Sequence, residues 1–434
     1  MAKKVLIPVY YWPPAGGAGV QRWVKFVKYL REFGWEPVVY TVENGDYPIL
    51  DDSFEKDIPE GVEVIHRPIV EPFELYRAFS GKKKGEKIDN TLMTNLKQKN
   101  WKERFAAWIR GNFFIPDARV WWIRPSISFL EKWLQENKVE VIVSSGPPHS
   151  VHLIAKGIKA KTGLPWLADF RDPWTGIDYF ADLNLTDWAR KKHFRLEKEV
   201  LTSADAVTVV GSKMKMDFEA LGGKNISVLT NGFDAADYEA LPPRVENEKF
   251  VLAHIGSLYR TRNPKVLWEA LQSLCQKHPE LKQDLEIRLI GKTDDAVLES
   301  LKSHDLFSYS VVKSYIPHSE VAQNQIQADV LLLLIDVFDG GKWVLTGKFF
   351  EYLAANRPIL CVGPQDGQVA EIIRETGAGT VVDFDNPAAA ETAVWDMYQK
   401  WKNKSLSIQS SGTNKYSRRS LTEQLSVILQ KIAR

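Results

Sequence analysis

The sequence predicts an α/β protein built from two domains, each with a mainly parallel β-sheet. Short apolar runs alternate with longer amphipathic stretches along almost the whole chain, which is typical of βαβ units. The polar segment 234–250 interrupts this pattern with adjacent prolines and several charges, and the pattern then starts again. The length of 434 residues also exceeds the ordinary size of one domain. We therefore expect an interdomain linker at 234–250.

The first half contains apolar runs that we interpret as strands, with amphipathic helices between them. One helix is expected to end at Gly34, and a long charged helix is expected at about 186–203. We assign residues 1–240 to this domain and expect the C-terminal helix, 415–434, to pack back on it. The runs are VLIPVYY, PVVYTV, VEVIVSS, PWLADF, AVTVVGS and ISVLTNGF.

The second half repeats the arrangement and is assigned to a domain of residues 241–414. A short helix is expected at about 347–356, because Pro358 ends it before the next strand. The predicted strands are FVLAHIGS, LEIRLIG, SVVKSYI, ADVLLLLI, PILCVG and GTVVDF.

Composition narrows the classes of function. The net charge is +2 and no nucleic-acid-binding motif is visible, so we expect no nucleic-acid partner. Cys275 and Cys361 lack metal-type spacing and fit a reducing compartment. The longest apolar run ends at Asp336, well short of the ~20 residues that span a bilayer. Because Pro8 and Pro13 break the first apolar run, we expect a strand there, no signal peptide, and a cytoplasmic protein.

A glycine-rich loop, YYWPPAGGAGVQRW, lies between the first predicted strand and helix. Backbone amides freed by glycines at a helix start form an anion site. The dinucleotide fingerprint fails, because Arg22 stands three positions after Gly19, and the lysine of a P-loop is also missing. An anion site at Gly16, Gly17 and Gly19 and a tight strand-to-helix turn both stay open.

A second glycine-containing loop, HIGSLYRTRNPK, repeats this geometry in the second half. Gly256 ends the strand, and Arg260, Arg262 and Lys265 follow near the next helix start. Arginine and lysine there would clamp a diphosphate through charge-assisted hydrogen bonds. The alternative is a solvated basic loop.

The segment TGKFFEYLAANRPIL places Lys348 in the first turn of a helix, where the helix dipole disfavours a cation. An anion bound at Thr346, Gly347 and Lys348 would remove this conflict. Glu351 lies one turn further on the same face, where its carboxylate would accept hydrogen bonds from two ribose hydroxyls. The alternative is an ordinary ion pair between Lys348 and Glu351.

Polar residues also follow two predicted strands of the first domain, at the sheet edge where α/β proteins bind ligands. In DFRDPW, Asp169 or Asp172 would orient an acceptor hydroxyl and Arg171 would hold a carboxylate or phosphate. The alternative is a buried arginine–aspartate network. His149, after SSGPP, is a candidate site residue at a helix start, whereas His152 is more readily a packed residue.

Two further patterns are suggestive. Asp383 and Asp385 form an Asp-x-Asp, but the Asn386-Pro387 that follows indicates turn and helix-cap chemistry, so we predict no metal. The basic and aromatic tract 100–133 would suit an anionic membrane surface. Its aromatics would otherwise be core residues or line an acceptor groove, and Pro116, Asp117 and Trp122 indicate that part of it is structural.

The order of these signals resembles the GT-B glycosyltransferases, and most of all family 4: a glycine-rich loop, a basic cluster, then Lys-x-x-Glu-Tyr-Leu-Ala before x-Pro-Ile. SSGPPHS and DFRDPW are similar to bacterial members that build capsules, O-antigens and exopolysaccharides. The resemblance implies two Rossmann-like domains facing across a cleft. It also implies sugar transfer, with retention and without metal or another cofactor, from a nucleotide-sugar to a glycan or lipid-linked acceptor.

The resemblance also implies roles for particular residues. Glu351 would bind the ribose, and Lys348 the phosphates. Arg262, with Arg260 and Lys265, would neutralise the leaving diphosphate beside the strand end at Gly256. The loop Gly16 to Gly19 would face that diphosphate, and Ile316, in the strand end 315–318, would lie by the base.

One position departs from the family pattern. The family often carries Glu-x7-Glu ending at Glu351, but the earlier position is Trp343. Asp336, Asp339 or the amides of Gly340 and Gly341 are expected to contact the donor sugar instead.

We therefore predict a glycosyltransferase whose catalytic residues are His149, Asp172, Arg262 and Lys348, with domain closure about 234–250 excluding water. A GT-B sugar-nucleotide epimerase would use the same donor site and need no acceptor. A non-catalytic nucleotide-sugar-binding protein would bind without transfer.

Overall fold

The structure is a computed structural model that describes residues 2–47, 49–71, 101–314, 316–337 and 340–433. The chain divides into two compact units. The first unit comprises Met1–Thr230 together with Leu421–Arg434, and the second comprises Asn231–Ser420. The boundary between the two units lies after Thr230, whereas the sequence pattern predicted it after residue 240.

The first unit contains a seven-stranded parallel sheet in the order β3-β2-β1-β4-β5-β6-β7. Its central strands are buried on both faces, which is why they read as continuous apolar runs. The strands are β1 (Lys3–Pro8), β2 (Trp35–Val42), β3 (Glu63–Arg67), β4 (Val141–Gly146), β5 (Trp166–Phe170), β6 (Ala206–Val209) and β7 (Ile226–Val228).

Helices alternate with most of these strands along the chain, as expected of βαβ units. In the described part of the chain up to residue 230 they are α1 (Ala18–Leu30), α2 (Trp101–Phe113), α3 (Ile123–Glu136), α4 (Ser150–Thr162), α5 (Asp187–Ser203) and α6 (Ser212–Ala220).

The second unit contains a six-stranded parallel sheet in the order β10-β9-β8-β11-β12-β13. This is the 3-2-1-4-5-6 order of the doubly wound Rossmann fold. The strands are β8 (Phe250–Ile255), β9 (Leu285–Ile290), β10 (Ser310–Lys313), β11 (Val330–Leu334), β12 (Ile359–Val362) and β13 (Gly379–Val382).

The helices from residue 231 onward complete the list. They are α7 (Ala236–Glu239), α8 (Lys265–Lys277), α9 (Pro279–Asp284), α10 (Asp295–Ser303), α11 (His318–Gln327), α12 (Gly347–Ala354), α13 (Gln368–Thr376), α14 (Pro387–Lys402) and α15 (Arg418–Ile432). The predicted α/β class with two Rossmann-like sheets is therefore confirmed.

The last helix, α15, contributes to the core of the first unit. Leu421, Leu425 and Leu429 recur every four residues and so lie on one helix face. All three are buried in the cluster that covers one face of the first sheet. Burying this apolar stripe is what holds the C-terminal residues on the unit that begins the chain.

The segment 234–250, predicted to be a linker, is attached to the second unit. Tyr238, on α7, places its hydroxyl 2.5 Å from Gln325 Oε1. Arg244 forms an ion pair with Asp329, and Asn247 Nδ2 donates to Asp329 Oδ2 at 3.0 Å. The polar composition that suggested a free linker instead supplies these contacts.

Sequence reasoning missed one strand. β3 is an edge strand in which only the adjacent Val64 and Ile65 are partly buried, and its other residues are exposed and polar. It therefore lacks the apolar run by which the other strands were found.

Among the described residues, no helix combines the length and the apolar character needed to cross a membrane.

Candidate functional site

The candidate donor site lies where the strand order of the second sheet reverses. β8 and β11 are neighbours, and their connections leave toward opposite edges of the sheet. In doubly wound folds, ligands bind outside the carboxyl ends of the strands at this point. The loop that begins at Gly256 follows β8, and Asp336 follows β11. Residues from sequence-distant loops therefore meet here.

Asp336 joins the two loops. Its Oδ1 accepts a hydrogen bond from Thr261 Oγ1 at 2.7 Å, and its Oδ2 accepts from Arg262 Nε at 2.7 Å. No described residue accepts a hydrogen bond from the two terminal nitrogens of Arg262. The aspartate thus orients a guanidinium whose outer edge is available to an anion, and both of its own oxygens are occupied by protein donors. Each oxygen can accept a second hydrogen bond, so the contact between Asp336 and the donor sugar stays a prediction.

Lys348 lies at the start of α12 and points toward β8. Its Nζ is 3.1 Å from His254 Nε2, while His254 Nδ1 is 2.9 Å from the Leu332 carbonyl oxygen. A carbonyl can only accept, so Nδ1 carries the ring proton and Nε2 accepts from Lys348. Burial and the lysine charge lower the pKa of His254 to about 3, so the ring is neutral at physiological pH.

The charge of Lys348 is destabilised by its surroundings. Burial and the nearby Arg262 guanidinium lower the pKa of Lys348 to about 7, and Glu351 opposes this shift. A bound diphosphate would supply the missing negative charge. The sequence indicated that a cation at this helix start is unfavourable. In the folded protein, too, the charged form of Lys348 is disfavoured as long as no anion is bound.

Gly256 makes room for this lysine. Its φ is +129°, and a Cβ there would lie 2.4 Å from Lys348 Nζ. Both the backbone conformation and the close approach require glycine.

The start of α12 is open. Thr346 is the N-cap residue, with its Oγ1 3.4 Å from the Phe349 amide. A Cβ built on Gly347 would meet no atom within 4 Å. Packing therefore gives no reason for glycine at this position, whereas space for a ligand does.

Glu351 does not pair with Lys348. Its Oε2 accepts from Gln325 Nε2 at 3.2 Å, and Gln325 Oε1 is 2.5 Å from the Tyr238 hydroxyl. No ion pair joins Glu351 to Lys348 within 4 Å, so the salt-bridge interpretation is wrong. No described residue donates to the other carboxylate oxygen of Glu351.

The remaining residues predicted to bind the donor differ in exposure and packing. Arg260 and Lys265 are exposed, and Lys265 opens α8. Ile316 is partly buried against the core beneath β11 and β12. Gly341 and Trp343 form a short 3-10 turn near α13. Asp339, and Tyr315 of the predicted base-binding strand end, lie outside the described residues.

In the first unit, two glycines of the glycine-rich loop have structural causes. A Cβ on Gly16 would lie 2.9 Å from Asp51 Cβ, and the Gly16 amide donates to the Ile49 carbonyl. Gly17 has φ +92° and precedes α1 without a side-chain cap. The loop is a tight turn at Gly16 and an uncapped helix start at Gly17, and the anion site there stays a prediction.

Arg171 holds this loop to the loop after β4. Its Nη1 donates to the Gly19 carbonyl at 2.7 Å, its Nε to the Gly146 carbonyl at 3.3 Å, and its Nη2 to the Pro147 carbonyl. A Cβ on Gly19 would lie 2.5 Å from Nη1. Three of the five donors of Arg171 thus serve the protein itself, and Gly19 is required by this contact.

Asp169 is fully buried and cannot orient an acceptor hydroxyl, which corrects the prediction for this residue. Arg22 forms a two-pronged ion pair with it, at 2.8 and 3.1 Å. Its oxygens also accept from Trp23 Nε1, Ser145 Oγ and Thr208 Oγ1 at 2.7–2.9 Å. These five bonds satisfy the carboxylate. Burial acts to raise the pKa of Asp169, but the Arg22 charge and the hydrogen bonds from Arg22, Ser145 and Trp23 outweigh it and lower the pKa to about 2. Asp172, by contrast, is exposed.

His149 lines a cavity of about 290 Å³ at the carboxyl edge of the first sheet. The ring stacks on Trp174, with centroids 4.6 Å apart. Burial, then the neighbouring His152 and Arg171, lower the pKa of His149, so it is neutral, and no described residue bonds to its buried Nδ1. His152 is instead packed on Phe170 and bonded to Ser144.

The aromatic residues of the tract 100–133 fall into three groups: core residues, residues that line a cavity, and exposed residues. Trp122 is core and stacks on Tyr40 at 5.5 Å. Phe114 lines the cavity beside His149. Phe113 and Trp121 are 67% and 46% exposed, and only such residues are available to another surface.

The Asp-x-Asp pair belongs to a helix start, as predicted. Asn386 Oδ1 accepts from the Ala389 amide at 3.0 Å, and Pro387 is the first residue of α14. Asp383 Oδ1 accepts from the Phe384 amide at 2.8 Å, which is turn chemistry.

Sequence reasoning missed His254 and Gln325. A single histidine in an apolar strand and a single glutamine in an amphipathic helix carry no spacing signal. Only the position of His254 directly before the Ile255-Gly256 strand end hinted at the site.

Comparison with known proteins places this fold. Residues 91–237 match the sequence profile of Glycosyltransferase Family 4. No curated protein matches the sequence. The structure is similar to that of Staphylococcus aureus TarM, solved with fondaparinux, α-GlcNAc-glycerol and UDP, at 11% identity and TM-score 0.58, covering 98% of this chain and 99% of that one.

Two other solved structures show the same likeness. Anabaena HepE in complex with UDP-glucose has 12% identity and TM-score 0.57, with 99% of each chain covered. WaaG, described as a glycosyltransferase involved in lipopolysaccharide biosynthesis, has 15% identity and TM-score 0.53, covering 98% of this chain and 99% of that one. Residues 91–237 thus match the family 4 glycosyltransferase model, and the likeness to these solved structures shows that the chain has the GT-B fold.

Proposed function

We propose that the protein transfers a sugar from a nucleotide-sugar, bound by the second unit, to a glycan or lipid-linked glycan. The observation that carries this proposal is the group of cations around an open helix start. Lys348 lies in the first turn of α12, and burial, followed by the charge of the nearby Arg262, lowers the pKa of Lys348. A diphosphate there would meet both cations and the helix dipole.

The ribose would lie one helical turn further, at Glu351. One carboxylate oxygen of Glu351 is held by Gln325, and the other accepts from no described residue. Hydrogen bonds to a charged acceptor contribute about 1.5–3 kcal/mol each. The complexes of TarM with UDP and of HepE with UDP-glucose make UDP the first nucleotide to try.

Loss of the nucleoside diphosphate develops negative charge on the leaving phosphate. Arg262 and Lys348 would stabilise that charge in the transition state, so we propose that transfer needs no metal. Retention of the anomeric configuration is part of the proposal and rests on the resemblance to family 4.

The acceptor would bind the first unit at the cavity beside His149. Neutral His149 offers a buried Nδ1 to which no described residue bonds, and Asp172, two residues after β5, is exposed. Phe113 and Trp121 expose apolar rings that would contact an anionic membrane, which suits a lipid-linked acceptor. We propose surface-polysaccharide synthesis at the cytoplasmic face of a membrane, in keeping with the description of WaaG.

Calorimetric titration with UDP, GDP, ADP, TDP and NAD, on the unaltered protein and on Glu351→Ala, tests the donor site. We expect one nucleoside diphosphate to bind and Glu351→Ala to weaken it by at least ~1.5 kcal/mol. Binding of none, or of NAD alone, contradicts the proposal.

Product analysis then separates the classes of reaction. Incubation of the matching nucleotide-sugars with lipid-linked acceptor extract should give a glycosylated product, in EDTA as well as in magnesium. An epimerised nucleotide-sugar formed without acceptor would indicate an epimerase, and binding without any product would indicate a non-catalytic protein.

A further inference from the structure

Glu351, Gln325 and Tyr238 lie on three separate helices and are linked by hydrogen bonds. Gln325 on α11 donates from Nε2 to Glu351 Oε2 at 3.2 Å. Tyr238 on α7 lies with its hydroxyl 2.5 Å from Gln325 Oε1 and 3.0 Å from the backbone oxygen of Glu351. The side chain of Glu351 is thus connected through one amide to a tyrosine in the segment that follows the first unit.

The chemistry of these groups fixes which group donates and which accepts in each of these hydrogen bonds. A carboxylate can only accept, so the amide NH₂ of Gln325 must face Glu351 and its oxygen must face Tyr238. Burial and the Glu351 charge raise the pKa of Tyr238 well above its ordinary value, so the phenol keeps its proton. Tyr238 therefore donates, and its single proton serves the shorter contact, to Gln325.

Gln325 occupies a position that packing alone would give to an apolar residue. Its side chain is completely buried, and neighbouring α11 residues Val321 and Ile326 pack on the core of the second unit. A buried amide is costly unless both of its ends are hydrogen-bonded. Here both ends are used, one by Glu351 and one by Tyr238.

The alternative conformation of Glu351 would disable the site. Lys348 lies three residues earlier on the same helix face, a spacing that favours an ion pair. Such a pair would neutralise the cation that a phosphate needs and turn the carboxylate away from a ribose. The bond from Gln325 opposes this collapse.

We propose that Gln325, held in register by Tyr238, is a positioning residue that directs Glu351 at the ribose hydroxyls of the donor and thereby sets a preference for ribonucleotides. The inference rests on the proposed function, because it assumes that Glu351 binds ribose. It adds a specificity device to that site.

The test compares the affinities of ribonucleoside diphosphates with those of their 2′,3′-dideoxy forms, for UDP, GDP and ADP, on the full chain. Their ratio is the ribose preference. We expect it to be about tenfold or more in the unaltered protein, since hydrogen bonds to a carboxylate are lost in the dideoxy form. In Gln325→Leu we expect it to fall below about threefold, mainly through weaker binding of the ribonucleotide.

A role in folding alone would weaken both nucleotides equally and leave the ratio unchanged, and that result overturns the inference. Tyr238→Phe keeps the ring and removes only the hydroxyl, so it should lower the ratio less than Gln325→Leu does. If Gln325→Leu does not fold, Tyr238→Phe is the deciding variant. An unchanged ratio in Tyr238→Phe then overturns the inference. Asn324→Leu is the control, because Asn324 lies on the same helix, is only partly buried, and among the described residues its side chain bonds to the Glu320 carbonyl alone.

The two proposals fail in different ways. If no nucleotide binds the unaltered protein, the proposed function fails and the inference fails with it. If a diphosphate binds with no ribose preference, the assignment of Glu351 and this inference fail, while the diphosphate site stands.

Discussion

Lys348 and Glu351 lie one turn apart on α12 and yet contact different partners. Lys348 reaches His254 at 3.1 Å, and Glu351 is held by Gln325 at 3.2 Å. Oppositely charged residues at this spacing ordinarily attract each other. Their separation keeps a cation and a carboxylate oxygen available, one helical turn apart, as a diphosphate and its ribose would require.

Gly347→Ala should leave stability nearly unchanged and weaken nucleoside diphosphate binding by about tenfold, or 1.4 kcal/mol. The added methyl meets no protein atom within 4 Å, so any cost arises only when a ligand occupies that space. Thermal unfolding and calorimetry measure the two effects.

The control for this change is Gly412→Ala. Gly412 also has open space around a Cβ, but its φ is +68°. Alanine there should therefore destabilise the protein without altering nucleotide affinity. Undiminished affinity in Gly347→Ala would remove the argument that this space belongs to a ligand.

Nucleoside diphosphate affinity should fall as pH rises above about 7. In the free protein burial and then Arg262 lower the pKa of Lys348 to about 7, Glu351 opposes them, and neutral His254 lies beside the amine. Only the cationic form attracts the diphosphate, so binding above pH 7 must take up a proton, at a cost of up to about tenfold in affinity per pH unit. Calorimetry in buffers of different ionisation enthalpy measures this proton uptake.

Lys348→Arg provides the comparison, because arginine stays charged throughout this range. Its affinity should be nearly flat between pH 7 and 9, and a parallel decline would assign the titration to another group.

The stability of the folded protein depends on pH in the opposite direction from nucleotide affinity. The unfolded lysine keeps its proton up to about pH 10.4, so between about pH 7 and 10 the unfolded chain binds more protons and Lys348 makes the folded protein more stable as pH rises.

Asp169→Ala should destabilise the protein by about 3–5 kcal/mol, because it leaves the Arg22 charge buried without its partner. Asp172→Ala should change stability by less than about 0.5 kcal/mol, because Asp172 is exposed. Denaturant unfolding measures both free energies. If Asp172 orients the acceptor, Asp172→Ala should lower the transfer rate and leave diphosphate affinity unchanged. Folded Asp169→Ala should keep both the transfer rate and the affinity.

Replacing Phe113 and Trp121 by serine should reduce sedimentation with phosphatidylglycerol vesicles by several-fold. Each exposed ring would bury apolar surface in the membrane interface, at about 25 cal/mol per Å². Phe307→Ser is the matched control, since Phe307 is 44% exposed in the second unit. Equal binding by all variants would count against membrane contact through 100–133.

The sequence by itself determined most of the fold. Twelve of the thirteen strands in the described part of the chain were visible as apolar runs. The central strands of both sheets are buried on both faces and must be apolar along their length. Lys348 and Glu351 were visible because a cation at a helix start and its neighbour one turn on are local features, readable without any distant contact.

Only the tertiary structure decided what these residues touch. His254 and Lys348 are 94 residues apart, and Gln325 and Glu351 are 26 apart, so their contacts depend on how the second sheet and its helices pack. Packing likewise decided that Asp169 is a buried partner of Arg22 while Asp172, three residues later, reaches solvent. Periodicity shows which face of an element is buried, but the partner of a polar group is fixed only when separate elements come together.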